Sequence, residues 1–385
     1  MFSFEFYNPT RLVFGKDSVN SLDDLLPSTA RILVLYGGSS AERTGTLAEV
    51  RHALGDRVVF EFAGVEPNPT YETLSKAVEL VRQEYIDYLL AVGGGSVIDG
   101  SKFVAAAAKF EGDSWNILEA WGSNVVEALP LGVVLTLPAT GSEMNNAAVI
   151  TKAESKTKAL LATPHVFPQF AILDPTKTYT LPARQLANGV VDAFVHVIEQ
   201  YLTYPVGASV QDRFAEGILQ TLVEIGPKVV FEPADFDSRA NLMMSATLAL
   251  NGLIGSGVPH DWATHFIGHE LTALYEIDHA RTLAVILPSL LNARREQKKA
   301  KLLQYGERVW GITTGHDEQR IDLAISKTKA FFESLGVKTS LSAYGLGTSA
   351  IEDVVANLEK HRMTALGEQQ EITPVVARKI LMASL

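Results

Sequence analysis

In the stretch NGVVDAFVHVIEQYL, Asp192 and His196 stand four apart inside an apolar helical pattern, so both project from one face. A carboxylate and an imidazole on such a surface are costly to bury unpaired. A mutual hydrogen bond or a shared divalent cation would satisfy both. A second stretch, HDWATHFIGHELTALYEIDHARTLAVILP, begins at His260 and holds four of the nine histidines. His265 and His269 are again four apart, and His279 follows after a break at YEID. One carboxylate with three imidazoles is a mixed oxygen and nitrogen donor set suited to Fe2+ or Zn2+, whereas Mg2+ wants mainly oxygen. An ion with an open position can polarise a carbonyl or an alkoxide.

Spacing alone supplies more histidines than a four-ligand shell can use. His260, five before His265, lies off its face and reads as structural, while the helical rule pairs His265 with His269. His52, His165, His316 and His361 stand isolated, with surface or capping roles as the default. Trp262, Phe266 and Phe194 neighbour the candidates and suggest an apolar lining, although aromatics at helical spacing equally suit a core.

A second chemistry is carried by glycines. AVGGGSVIDGSKF sets Gly93, Gly94, Gly95 and Ser96 between an apolar run and a helix start. Glycine there allows close backbone approach, and free N–H groups at the helix N-terminus favour an anion such as a pyrophosphate. Neither the G-x-G-x-x-G nor the P-loop spacing is met, and a tight structural turn would use the same residues. Two more polar glycine loops, YGGSS and PATGSE, also follow apolar runs, and ligands of open α/β sheets bind at such strand ends. After the first long strand the chain offers Gly37, Gly38, Ser39 and Ser40 with Arg43 nearby, where an NAD site would place a carboxylate. Small donors and a cation suit a 2′-phosphate, so the reading is NADP(H) over NAD(H).

The elements that must hold these residues follow from periodicity. Apolar runs ARILVLYGG, IDYLLAVGGGS, LGVVLTLPATGSE and QFAILDP alternate with helical patterns such as YETLSKAVELVRQEY, which is the signature of a parallel sheet with crossover helices. From about Thr180 the pattern is helical with no convincing strand, which predicts an α/β domain over 1–180 and an all-helical domain over 181–385. RREQKKAKLLQY from Arg294 reads as a solvated helix face.

Composition removes other classes. A net charge of −11 leaves no basic stripe for nucleic acid or an anionic membrane. The absence of cysteine excludes disulfides, thiolate nucleophiles and cysteine-bound zinc. No apolar run suits a membrane span and MFSFEFYNPTRLVFG does not read as a signal peptide, so the cytoplasm is the expected compartment.

With GGGSVIDGSK, PATGSE, DAFVHVIEQY and GHELTALYEIDHARTLAVILP in view, the sequence resembles the iron-containing (group III) alcohol dehydrogenase family over essentially its whole length. NGVVDAFVHVIEQY and VPHDWATHFIGHELTA are similar to its NADPH-dependent aldehyde reductase and butanol dehydrogenase branch. The resemblance implies a Rossmann-like N-terminal dinucleotide-binding domain, an all-α metal-binding domain, a dehydroquinate synthase-like architecture and an active site in the cleft between the domains. It implies Asp192, His196, His265 and His279 as metal ligands, with His269 beside the site as the candidate proton relay. It further implies cofactor contacts at Asn68, Gly94, Gly95, Ser96, Asp99, Thr136, Thr140, Ser142 and Lys158. NAD-dependent relatives have an aspartate where this chain has Gly38, in keeping with the phosphate reading.

The implied reaction is reversible reduction of short- to medium-chain aliphatic aldehydes to primary alcohols, with NADP(H) and Fe2+ or Zn2+ as cofactors. A glycerol or diol dehydrogenase is one alternative. A sugar-phosphate cyclase of the same superfamily is another, but it should need a Lys and Arg cluster, and the histidine stretch supplies none before Arg281. A nucleotide-binding sensor that had lost its chemistry should show a broken ligand set, and this one is intact. Related proteins also imply a homodimer formed through an N-terminal edge strand, for which FSFEFYNPTRLVFG alternates suitably.

Overall fold

The computed structural model describes all 385 residues. Eight strands form: β1 (Arg11–Phe14), β2 (Arg31–Tyr36), β3 (Val58–Phe62), β4 (Tyr88–Gly94), β5 (Leu131–Leu137), β6 (Ala147–Lys152), β7 (Thr157–Ala162) and β8 (Phe170–Leu173). Six of them make a wholly parallel sheet in the order β1-β8-β5-β4-β2-β3, and β6 and β7 pair as an antiparallel hairpin. Parallel strands buried on both faces read as continuous apolar runs, which is why RILVLY and YLLAV lack polar alternation. Leu33, Leu35, Leu89, Ala91, Val133 and Leu135 join one core with the helices Tyr71–Gln83 and Gly95–Lys109. The intervening Ile32, Val34, Leu90, Val92, Val134 and Ile172 join a second core with the helix Thr46–Leu54.

From β2 the chain steps outward to β3, then returns across β2 to β4. That reversal separates the connections leaving β2 and β4, the place where open α/β sheets take ligands. The strand expected over the N-terminal stretch is confined to Arg11–Phe14. Pro9 cannot donate to a ladder, and the Asn8 side chain instead accepts from Thr10 N–H at 3.2 Å. β3 and the β6/β7 hairpin were not evident from the apolar runs, because they carry polar residues such as Glu61, Lys152 and Lys158.

This sheet belongs to a compact unit of Tyr7–Leu181 and Ala234–Thr247. The other unit comprises Met1–Phe6, Pro182–Pro233 and Leu248–Leu385. Within it the all-helical expectation holds, since no strand forms and one isolated bridge joins Leu366 to Ile372. Its central element is the helix Ala183–Tyr201, hereafter the aspartate helix, in which every residue from Leu186 to Tyr201 is buried. The helices Ser209–Phe231 and His279–Ala293 flank it. No helix is long and apolar enough to cross a membrane.

The charge run from Arg294 departs from its expectation as a solvated face. Lys298 and Lys301 are buried, because each is neutralised in place: Lys298 by Asp261 at 2.9 Å and Glu368 at 2.7 Å, and Lys301 by Asp212. Burial works against the Lys298 ammonium, but the two carboxylates hold its pKa above the usual lysine value.

Gly132 tests how closely the sheet is packed. A Cβ added there would lie 2.1 Å from Cζ of Phe170 on the neighbouring strand. Gly132→Ala is expected to cost roughly 1–3 kcal/mol in urea unfolding through overpacking. An unchanged midpoint would show that the Phe170 ring turns away freely.

Candidate metal and dinucleotide sites

The aspartate helix places Asp192 and His196 one turn apart, both nearly inaccessible to solvent. A sharp turn through Asp261 and Trp262, the latter at a φ of 59°, then starts the helix Ala263–Tyr275 that carries His265 and His269. His279 is the first residue of the following helix, His279–Ala293. These elements converge on one atom. Oδ1 of Asp192 lies 3.9 Å from Nε2 of His196, 4.0 Å from Nε2 of His265 and 3.6 Å from Nε2 of His279. Such separations exceed hydrogen-bond range. Ligand atoms about 2.1 Å from a shared ion stand about 3.4 Å apart across a tetrahedral edge, close to what is seen.

Asp192, His265 and His279 form the tightest set, with ligand atoms within 4.8 Å of one another. His196 stands at its margin, its ring stacked on that of His265 with centroids 4.6 Å apart. Burial pushes the His196 pKa down to about 4, so the ring is neutral at pH 7, as a ligand must be. The donor set therefore fits a divalent ion with mixed oxygen and nitrogen preference.

His269 lies outside this set, half-buried, with ring centroids 6.2 Å from His265 and 5.0 Å from His279. His260 occupies both ring nitrogens elsewhere: Nε2 meets the Gly255 carbonyl at 2.9 Å, and Nδ1 accepts from Trp262 Nε1 at 3.3 Å. His316 caps the helix Asp317–Ser334 by accepting from Gln319 N–H. His361 meets Glu270 at 2.8 Å. Of the three aromatics, Trp262 sets its ring against His196 and His265, and Phe266 lies edge-on to His269. Phe194 is instead fully buried against Phe331 and Phe332, because it projects from another face of the aspartate helix than Asp192.

Several supporting residues went unread in the sequence. Glu199, seven beyond Asp192 and on the same helical face, meets Nδ1 of His265 with one oxygen and accepts from Thr264 N–H at 2.6 Å with the other. At the other end of that face, Arg184 binds both oxygens of Asp278 at 2.8 Å and Asn188 donates to it at 2.8 Å. Asp278 directly precedes His279, so this clasp fixes the start of its helix. Arg281 is drawn in as well, 3.3 Å from both Asp278 and Asn188. The available signal was the four-residue repeat Arg184, Asn188, Asp192, His196 on an apolar helix, continued by Glu199.

In the sheet unit, the residues expected at a dinucleotide gather beyond the carboxyl ends of parallel strands. Gly37, Gly38, Ser39 and Ser40 follow β2, Asn68 follows β3, and Gly94, Gly95, Ser96 and Asp99 follow or end β4. Thr136, Thr140 and Ser142 end or follow β5, while Lys158 reaches in from the hairpin and donates to Asn68 Oδ1 at 2.8 Å. A Cβ at Gly95 would stand 2.4 Å from Thr140 Oγ1, so the PATGSE loop rests directly on the glycine turn. Asn68 takes a φ of 57°, a left-handed conformation that asparagine tolerates better than most residues. Around Ser39, Arg43 donates to the serine hydroxyl at 2.6 Å. The nearby acids Glu42 and Glu61 both pair with Arg51.

Asp99 and Ser142 already serve the fold. Ser142 Oγ donates to Asp99 at 2.6 Å, Val149 N–H donates to the same carboxylate at 2.9 Å, and Lys102 Nζ reaches Ser142, Asn145 and the Ala147 carbonyl at 2.8–2.9 Å. Lys102 is wholly buried. Burial also raises the carboxyl pKa values of Asp99 and Glu143.

Comparison with known proteins adds the identity of this arrangement. The family model for iron-containing alcohol dehydrogenase matches residues 9–175, and that for the C-terminal part of the Fe-containing alcohol dehydrogenase family matches residues 186–377. The chain belongs to the iron-containing alcohol dehydrogenase family. Within this family it is 56% identical to the NADPH-dependent aldehyde reductase YqhD of Escherichia coli, over 100% of both chains. The crystal structure of that E. coli protein superposes with a TM-score of 0.99, covering 100% of this chain and 99% of the other. The NADH-dependent butanol dehydrogenase A of Thermotoga maritima, 33% identical, gives 0.95 with 100% and 99% coverage. Iron-containing alcohol dehydrogenases thus supply both halves of the architecture reached from the sequence.

Burial lowers the Lys102 pKa to about 8 against an ordinary 10.5, opposed by Asp99 and Glu143. Between those two values the unfolded chain still holds the proton that the folded chain has released, so this group makes stability rise with pH across that window. Urea unfolding at pH 7.5, 9 and 10 should show the wild type gaining on Lys102→Met as pH increases. Parallel curves would place the titration of Lys102 elsewhere.

Proposed function

We propose that this protein is a metal-dependent aldehyde reductase and alcohol dehydrogenase that prefers NADP(H) and acts on short- to medium-chain aliphatic aldehydes and primary alcohols. The observation that carries the reading is the convergence of three histidine Nε2 atoms on the Asp192 carboxylate, within 3.6–4.0 Å, in a chain whose sheet unit also has a glycine turn at a helix start. Asp192, His196, His265 and His279 would hold the ion. When bound, Fe2+ or Zn2+ supplies Lewis acidity toward a carbonyl oxygen, and the nicotinamide supplies the hydride.

The protein's own residues do the remainder. Gly94, Gly95 and Ser96 present helix N–H groups to the pyrophosphate, and Gly95 lets the PATGSE loop close onto that turn. Trp262, edge-on to the His196 and His265 rings, gives an apolar wall that suits an aliphatic chain. His269, half-buried beside His265 and His279, relays the proton between solvent and the substrate oxygen, inward in aldehyde reduction and outward in alcohol oxidation. Arg43 and Ser39 would take the 2′-phosphate, and pairing of Glu42 and Glu61 with Arg51 mutes the acids that would repel it. The Escherichia coli relative that is NADPH-dependent by name points the same way, while other relatives are described as NADH-dependent butanol dehydrogenases. The enzyme would work as a homodimer, supported by the exposed alternate aromatics Phe2, Phe4 and Phe6 at the N-terminus.

The test is NADPH oxidation with butyraldehyde by protein stripped of metal and reloaded with Fe2+ or Zn2+, with NADH in parallel. Activity should return with metal and favour NADPH. Asp192→Ala should lose metal and turnover together, whereas His269→Asn should keep the metal and slow turnover roughly 10²-fold, the lower range for general acid–base catalysis. Full turnover by metal-free protein would overturn the reading. Equal metal loss in both variants would show that His269 is a ligand.

A further inference from the structure

We propose that Glu199 is the positioning residue of the metal centre: it accepts a hydrogen bond from Nδ1–H of His265 and so leaves the Nε2 lone pair facing Asp192. The proposal rests on the metal-dependent reading above. A neutral imidazole carries one N–H and one lone pair, and the partner of one nitrogen decides which nitrogen is left to ligate. Nδ1 of His265 meets Glu199 Oε2, and Nε2 lies 4.0 Å from Asp192 Oδ1. Glu199 cannot turn away from this task. Its other oxygen accepts from Thr264 N–H at 2.6 Å, and its backbone carbonyl accepts from Asp261 N–H at 2.8 Å.

Asp261 is secured in turn. Its Oδ1 accepts from Ala263 N–H at 3.1 Å and its Oδ2 meets Lys298 at 2.9 Å, while Lys298 also reaches the Leu202 carbonyl at 2.6 Å. The turn leading into the histidine helix is thereby docked on the last turns of the aspartate helix, and Glu199 is the side chain common to both. Its effect extends to a second ligand. Nδ1 of His196 is buried without a hydrogen-bond partner, and its ring lies nearly parallel to His265, at 19°. Fixing the plane of His265 therefore fixes the surface on which His196 rests.

The test uses full-length protein stripped of metal and titrated with Zn2+ against a competing chelator, together with the visible spectrum of the Co2+-loaded form. Glu199→Ala should weaken metal binding roughly 10–100-fold, the usual cost of losing such an outer partner, and alter the Co2+ bands. Its NADPH affinity should stay within about twofold of wild type, which separates a disturbed metal centre from a failed fold. Glu199→Gln, whose amide oxygen can serve His265 or Thr264 but not both, should fall between and decides the matter if the alanine variant does not fold. Tight wild-type binding with an unchanged Zn2+ affinity and Co2+ spectrum in the variants would overturn the assignment alone. A wild type that binds no divalent ion would overturn the metal-dependent reading as well.

Discussion

Burying Asp192 on a helix surrounded by apolar side chains is the constraint from which much of the helical unit follows. An isolated carboxylate in that setting would cost several kcal/mol. A divalent ion shared with imidazoles from three helices would meet that cost, since the rings aim at the carboxylate from beyond hydrogen-bond range. Each approach then needs its own support, because a histidine ring is held only as well as its other nitrogen or its packing allows. Glu199 supports His265, the stack on His265 supports His196, and the Arg184, Asn188 and Asp278 clasp supports the start of the helix that begins with His279.

The same helix supplies most of these supports. Arg184, Asn188, Asp192, His196 and Glu199 lie along one face, so a single rigid element sets the relative heights of two candidate ligands and the anchors of two others. Within the buried span Leu186–Tyr201, Asn188 and Glu199 meet partners of complementary chemistry, and His196 rests on the His265 ring. Phe194, on another face, packs against Phe331 and Phe332. In the sheet unit the corresponding device is Lys102, whose buried ammonium ties the helix after the glycine turn to Ser142 of PATGSE and to Asn145 and Ala147 beyond it. In both units the candidate site residues rest on polar groups placed beneath them.

Much of the fold was legible. Uninterrupted apolar runs identified β2, β4, β5 and the short β8, since both faces of a parallel sheet are covered. Polar strands escaped the same logic: β3 and the β6/β7 hairpin carry charged residues, and Pro9 truncates the apparent N-terminal strand to Arg11–Phe14. The charge run from Arg294 misled for a related reason. A lysine's charge indicates exposure only until a buried carboxylate answers it, and for Lys298 that answer comes from Asp261 and Glu368, far away in sequence.

For the candidate site, sequence by itself determined what a single helix determines. The pairing of Asp192 with His196 is a consequence of helical period, and so is the position of Glu199 on their face. Family resemblance, not spacing, separated His279 from His269 as a ligand, because both follow His265 at plausible distances. Tertiary structure alone decided that His196, His265 and His279 turn their Nε2 atoms toward one carboxylate oxygen, and that Glu199 lies behind His265. Apart from the Asp192 and His196 pair, those contacts join residues 66 to 87 positions apart through turns at Trp262 and Asp278, whose dihedral angles no local pattern announces. A one-dimensional period fixes which residues share a face; only the packing of helices fixes which faces meet.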